Sequence, residues 1–134
     1  MWPRNLEMRC LMKVSDLDGP LLDFWVARAE NNLADGSTSP ENATVEHYGY
    51  GGEVEFRSSL SNWTPSVDWD DGGPIIDRVP FGIFERVDGG WGAGIYRKQS
   101  GMRDLCVAYQ TGDTLLIAAM RAYVASKFGD EVPD

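Results

Sequence analysis

The sequence predicts an α+β domain, a small antiparallel sheet with two helices packed on it. Three observations lead there. Apolar residues recur at helical spacing over residues 20–31 and crowd residues 114–128. Between them, residues 81–87 and 91–95 alternate on either side of Asp88-Gly89-Gly90, the pattern of a hairpin. The chain of 134 residues has material for one core and not for two.

Residues 1–11, MWPRNLEMRCL, have no clear periodicity, whereas Met12 opens MKVSDLDGPLLDFWVARAE in the manner of a domain start. Two readings stand: an extension upstream of a working initiator at Met12, or an ordered first strand. The single domain is accordingly placed at 12–134. Pro20 suits the first turn of a helix, where its missing N–H costs nothing, and Asp18 or Gly19 can cap it. Leu22, Trp25, Val26 and Ala29 then share one face. Residues 31–44, NNLADGSTSPENAT, are a loop by composition. Residues 45–57, VEHYGYGGEVEFR, alternate enough for one or two short strands broken at Gly51-Gly52. Phe81, Ile83 and Val87 form the first arm of the hairpin, and Trp91, Ala93 and Ile95 the second. LCVAYQ at 105–110 supplies a third strand after a polar loop at 99–104. The last helix is capped by Asp113 and stopped by Gly129. Its polar positions are so few that it is expected to lie buried against the sheet.

The net charge of −9 argues against a protein that wraps a long nucleic acid, since phosphate contact needs clustered Lys and Arg. The charge is uneven, however. Residues 1–77 carry 5 basic and 14 acidic side chains, and residues 78–127 carry 7 basic and 4 acidic. A small anion can still be met by the second half. Cys10 and Cys106 show no CxxC spacing and make no disulfide framework, so a reducing compartment is the expectation. No apolar run approaches a membrane span and no signal-peptide pattern is present at the N-terminus.

Four blocks carry a family resemblance: MKVSDLDGPLLDFWVARAE at 12–30, TPSVDWDDGGPIID at 64–77, Trp91, and TLLIAAMRAYVASKFGDEV at 114–132. In this order they resemble the NinX-like family of bacteriophage and prophage proteins. The segment 31–60 and the extension 1–11 fit that pattern poorly. The resemblance implies a phage origin and a place in the cytoplasm of the infected or lysogenic bacterium. It brings neither an activity nor a fold.

The chemistry must come from the residues, and the densest stretch is WTPSVDWDDGGPIIDR at 63–78. Asp68, Asp70 and Asp71, with Gly73 in sixth place, look like the start of a calcium loop. The twelfth place, where that loop needs a bidentate glutamate, is Val79, so no metal is assigned. Gly72-Gly73 lacks the lysine of a phosphate-binding loop and is followed by Pro74, Ile75 and Ile76 rather than by a helix start. The one histidine, His47, and Cys106 give no clear nucleophile and base, and Cys106 reads as a small core residue. The stretch reads instead as a rigid platform. Pro65 and Pro74 fix φ, Gly72-Gly73 permits a reversal, tryptophans offer flat faces, and the aspartates accept hydrogen bonds from hydroxyl or amino groups. The blander alternative is a core Trp69, an Asp68 that caps the turn, and solvated Asp70 and Asp71. Arg121 is either a structural partner of a carboxylate such as Asp68 or Asp77, or a ligand-facing cation.

The expected function is a non-enzymatic binder of a small anionic, nucleotide-like ligand, acting by sequestering a host immune signal, with no cofactor. Its expected contacts are Asp68, Trp69, Asp70, Asp71, Arg78 and Arg121, with Trp91 as a second wall. Two alternatives stand beside it: an inhibitor that binds a host protein through the acidic first half, and a small hydrolase using the clustered carboxylates. The open strand edges of so short a sheet also suggest a homo-oligomer.

Overall fold

The computed structural model describes residues 11–97 and 105–133. The elements in chain order are β1 (Leu11–Lys13), α1 (Gly19–Glu30), β2 (Thr44–Tyr48), β3 (Val54–Ser59), α2 (Trp69–Arg78), β4 (Phe81–Val87), β5 (Gly90–Arg97), β6 (Leu105–Gly112), α3 (Leu115–Phe128) and β7 (Glu131–Pro133), with single 3-10 turns at 14–16, 40–42 and 60–62. Residues 1–10 and the expected loop at 99–104 lie outside the described residues. The class is the expected α+β, with the strands divided among three antiparallel pieces. These are the pair β1–β7, the pair β2–β3, and the three-stranded sheet β4-β5-β6.

The helix ends follow local chemistry. Asp18 caps α1 by accepting from Gly19 N, Pro20 sits in the first turn, and Asn31 closes the helix in the left-handed region at φ 60°. For α3 the cap is one residue later than expected. The hydroxyl of Thr114, not the Asp113 carboxylate, accepts from Ile117 N at 3.1 Å. The β4–β5 turn needs φ 80° at Gly89, which explains the glycine there. In that hairpin Phe84 lies opposite Ala93 and Arg86 opposite Trp91.

The last helix organises the core. Leu116, Ala118, Ala119, Met120, Ala122, Tyr123, Val124 and Ala125 are all buried, so α3 is apolar on more than one face. It packs against β5 and β6, against α1, and against α2 and the 14–16 turn. The first helix, expected on the sheet, packs chiefly on α3 and adds Leu22, Phe24, Trp25, Val26 and Ala27 to the same cluster. Arg121 is the one charged group in the middle of this helix. It donates from Nε to Leu17 O at 2.8 Å and from Nη1 to Thr111 O at 2.9 Å. These partners are main-chain carbonyls and not Asp68 or Asp77.

The third helix, α2, stands where the sequence suggested a reversal at Gly72-Gly73. Helix propensity opposes it, since Gly72 and Gly73 each cost about 1 kcal/mol against alanine and an interior Pro74 about 3. Packing and capping supply the compensation. Asp68 accepts from Asp70 N at 2.9 Å, Ile75 is buried, and Gly72 lets the helix close on the chain before it. A Cβ at Gly72 would meet Pro65 O at 2.4 Å and Leu116 Cδ2 at 2.7 Å, whereas one at Gly73 would meet only the Trp69 ring at 4.0 Å. Gly72→Ala is therefore expected to lower the melting temperature through a main-chain clash costing about 1–3 kcal/mol. Gly73→Ala is expected to leave it unchanged or raise it, by up to about 1 kcal/mol. Thermal denaturation of the two variants side by side checks the pair.

Candidate functional site

Two of the four aspartates of 63–78 hydrogen-bond the backbone of the stretch. Asp68 is the cap of α2, and Asp71 Oδ2 accepts from Thr64 N at 2.9 Å, which locks the preceding turn to the first turn of the helix. Asp70 is solvated. Trp63 is buried, so it offers no free face. Trp69, the expected stacking surface, stands 56% exposed on the first turn of α2, with exposed Val67 close by in sequence.

The expected contacts do not converge. Arg78 lies at the far end of α2, about 13.5 Å along the axis of a ten-residue helix from Trp69. Trp91 opens β5 and is half-buried, with the Arg86 guanidinium 4.9 Å from its ring centroid. That strand runs on for about 20 Å, at roughly 3.3 Å per residue, before it reaches Arg97. Arg121 is engaged at the Trp91 end of the sheet, since Thr111 pairs with Gly92. His47 and Cys106 sit on different sheets, and Cys106 is exposed rather than a core residue.

Arg78 belongs to another grouping. The C-terminal ends of α2 and α3 and the end of β5 surround a cavity of about 540 Å³. Val79, Pro80, Ile95 and Val107 give it apolar walls, Tyr96 and Tyr123 give it aromatic ones, and Arg78, Arg97 and Lys127 bring three cations. Three other cavities, near Asp35, near Tyr109 and near Pro40, carry a single cation each. The wall at Arg78 is preorganised. Its Nη2 donates to Glu30 Oε2 at 2.5 Å, and the Tyr123 hydroxyl donates to the same oxygen at 2.5 Å. Burial, with the bond to Glu30, pushes the Tyr123 pKa up to about 12, so its hydroxyl is a donor at any physiological pH. Lys127 lies 5.9 Å from the Tyr123 ring centroid. Neither Arg97 nor Lys127 forms an ion pair with a described residue.

The chain has a second group that the sequence reading passed over. Asp23, 2% exposed, sits among the buried residues of α1 and accepts from Ser66 N at 2.9 Å. Burial raises its pKa from 3.8 to about 6, against the lowering effect of the Ser66 N–H bond. A carboxylate inside the run LLDFWVA was the available signal. The bond ties α1 to the turn before α2, and so helps fix where α2 begins.

This is a small single-domain α+β protein with a basic, aromatic-walled cavity. Residues 13–127 match the family model described as Bacteriophage P22, NinX, and the chain belongs to that phage family. No curated protein matches it. Among the described residues no helix is long and apolar enough to cross a membrane.

The Asp23 geometry carries a pH dependence. Its folded pKa lies above the unfolded value, so its contribution to stability is full below about pH 4 and is lost as pH rises through 6. An asparagine can accept from Ser66 N without ionising. Relative to the native chain, Asp23→Asn is therefore expected to gain stability steadily between pH 4 and pH 6 and to keep that advantage at pH 7. Urea denaturation of both proteins across that range measures it; a constant difference would mean that Asp23 does not titrate there.

Proposed function

We propose that this phage protein binds a small anionic ligand with a flat heterocyclic part in the cavity formed by Arg78, Tyr96, Arg97, Tyr123 and Lys127, and acts by withholding that ligand in the infected cell. The observation that carries the reading is the convergence of three cations on one apolar-walled cavity in a chain of net charge −9. A volume of this size suits a nucleotide-sized molecule. Two helices end at the rim, so roughly half a negative charge from each macrodipole opposes an anion there. Arg78 and Lys127 lie in those last turns and offset it. Arg78 is further neutralised by Glu30, which leaves Arg97 and Lys127 as the cations for phosphate. Tyr96 and Tyr123 are suited to the base, for which aromatic stacking is worth about 1–3 kcal/mol.

A ligand of the nucleotide class is the natural object of an anti-defence role, in which a phage protein sequesters a nucleotide-derived immune signal. This reading keeps Arg78 from the sequence-based site and leaves out Asp68, Trp69, Asp70 and Asp71 at the start of α2 as well as Trp91 and Arg121.

Calorimetric titration with a panel of cyclic nucleotides and ADP-ribose derivatives at low salt tests it. At least one member is expected to bind, and Arg97→Ala and Lys127→Ala are each expected to weaken it by about tenfold, the worth of one charge-assisted hydrogen bond. Asp70→Ala is expected to change nothing. Silence across the panel, or loss of binding in the Asp70 variant alone, would overturn the reading.

A further inference from the structure

The hairpin β2–β3 leaves the core partway along its length. Val45 is fully buried at its base, while Tyr48 is 49%, Phe56 57% and Tyr50 wholly exposed beyond it. Phe56 stacks on His47 at 4.2 Å between ring centroids and the Tyr48 hydroxyl donates to Glu46 Oε1 at 3.0 Å, yet all three rings remain largely in solvent. Its two edges differ. On the β2 side Glu46 N donates to Asn32 O at 2.7 Å and Ala34 N donates to Thr44 O at 2.9 Å, so residues 32–34 cover that edge. These bonds turn the main-chain groups of Thr44 and Glu46 away from β3. By the alternation of an antiparallel ladder, Val45 and His47 then bond across to their register partners Ser58 and Phe56. Arg57, between those two, is left with its N–H and C=O pointing outward. Among the described strands β3 has no second neighbour. Its edge is open.

We propose that β3 is a docking edge for an extended, lysine- or arginine-bearing segment of another protein, which would add a strand beside Arg57. Main-chain pairing of this kind gives affinity, and side chains on alternate positions give selectivity. The selectivity here is for cations. Glu53 and Glu55 are exposed at the loop end of the hairpin, their carboxylates lying beside Gly49 and Gly51, while Arg57, the basic group of β3, is already held by Glu46 at 3.0 Å. Exposed rings at Tyr48, Tyr50 and Phe56 can take ammonium or guanidinium groups on their faces. A second copy of this chain would instead bring the same acidic excess against itself. The proposal is independent of the cavity and does not need the small ligand.

Fluorescence anisotropy with a labelled short peptide of alternating lysine and valine, and its glutamate–valine counterpart as control, tests the edge. Arg57→Ala and Arg57→Pro both remove the side chain and its ion pair, but only proline removes the outward N–H, at an edge position that tolerates it. The lysine peptide is expected to bind the native chain and the Arg57→Ala variant, and to bind Arg57→Pro about tenfold more weakly. Should Arg57→Pro fail to fold, Glu55→Lys, a surface change, is expected to give the same loss with an unchanged melting temperature. No binding of the lysine peptide, equal binding of the glutamate peptide, or equal affinity of folded Arg57→Ala and Arg57→Pro would overturn the proposal. So would a dimer in sedimentation that Arg57→Pro dissolves, which would make the edge a self-pairing one.

Discussion

The structure depends on α3 being buried along nearly its whole length. A helix can be enclosed in this way only if its side chains are small where neighbours must approach, and Ala118, Ala119, Ala122 and Ala125 meet that condition. The sheet closes on it through Ala93, Ile95 and Ala108, and α1 through Phe24, Trp25 and Val26. The cost of such a helix is that any polar group it carries must be satisfied internally. Arg121 meets this with two main-chain carbonyls, and Tyr123 with Glu30. Tyr123 lies one turn before the helix end, so the same burial that stabilises the core also fixes one wall of the cavity.

The distribution of charge follows from this arrangement. Acidic side chains are spent on helix starts and turns: Asp18 and Asp68 cap helices, and Asp71 holds Thr64. Arg28, Arg78 and Lys127 lie in the last turns of their helices, as the helix dipole favours, and Arg78 and Lys127 come together because α2 and α3 end beside the C-terminal end of β5. The chain is strongly acidic in sum, yet the cavity walled by Tyr96, Tyr123 and apolar side chains is basic. Overall charge speaks to the company a protein keeps in solution, and local charge to what it binds.

Much of the fold was legible in the sequence because its signals are local. Pro20 after Asp18, the Asp88-Gly89-Gly90 turn, the strand at 105 and the stop at Gly129 each need only a few neighbouring residues to specify them. The helix α2 was not legible, because two glycines and a proline contradict it locally and its support is long-range: Gly72 against Pro65 and Leu116, and the Asp23 bond to Ser66. The candidate site was missed for the same reason. Of its cations only Arg78 was singled out. Arg97 and Lys127 lie on separate elements, and nothing in their spacing says that β5 and α3 end side by side. The dense aspartate run drew attention because capping and metal or ligand binding use the same residue types, and the backbone partners that distinguish them appear only in three dimensions.

The central claim is that ligand chemistry belongs to the C-terminal ends of α2 and α3 and not to the aspartate-rich start of α2. Backbone and indole ¹H–¹⁵N spectra of the labelled protein, titrated with ADP-ribose, test it most directly, because both ends of the same helix are read in one experiment. The account predicts progressive shifts at Arg78, Val79, Tyr96, Arg97, Tyr123 and Lys127, with the Trp69 indole and the amides of Asp70 and Asp71 unmoved. Shifts confined to Trp69, Asp70 and Asp71, with the cavity residues still, would contradict it.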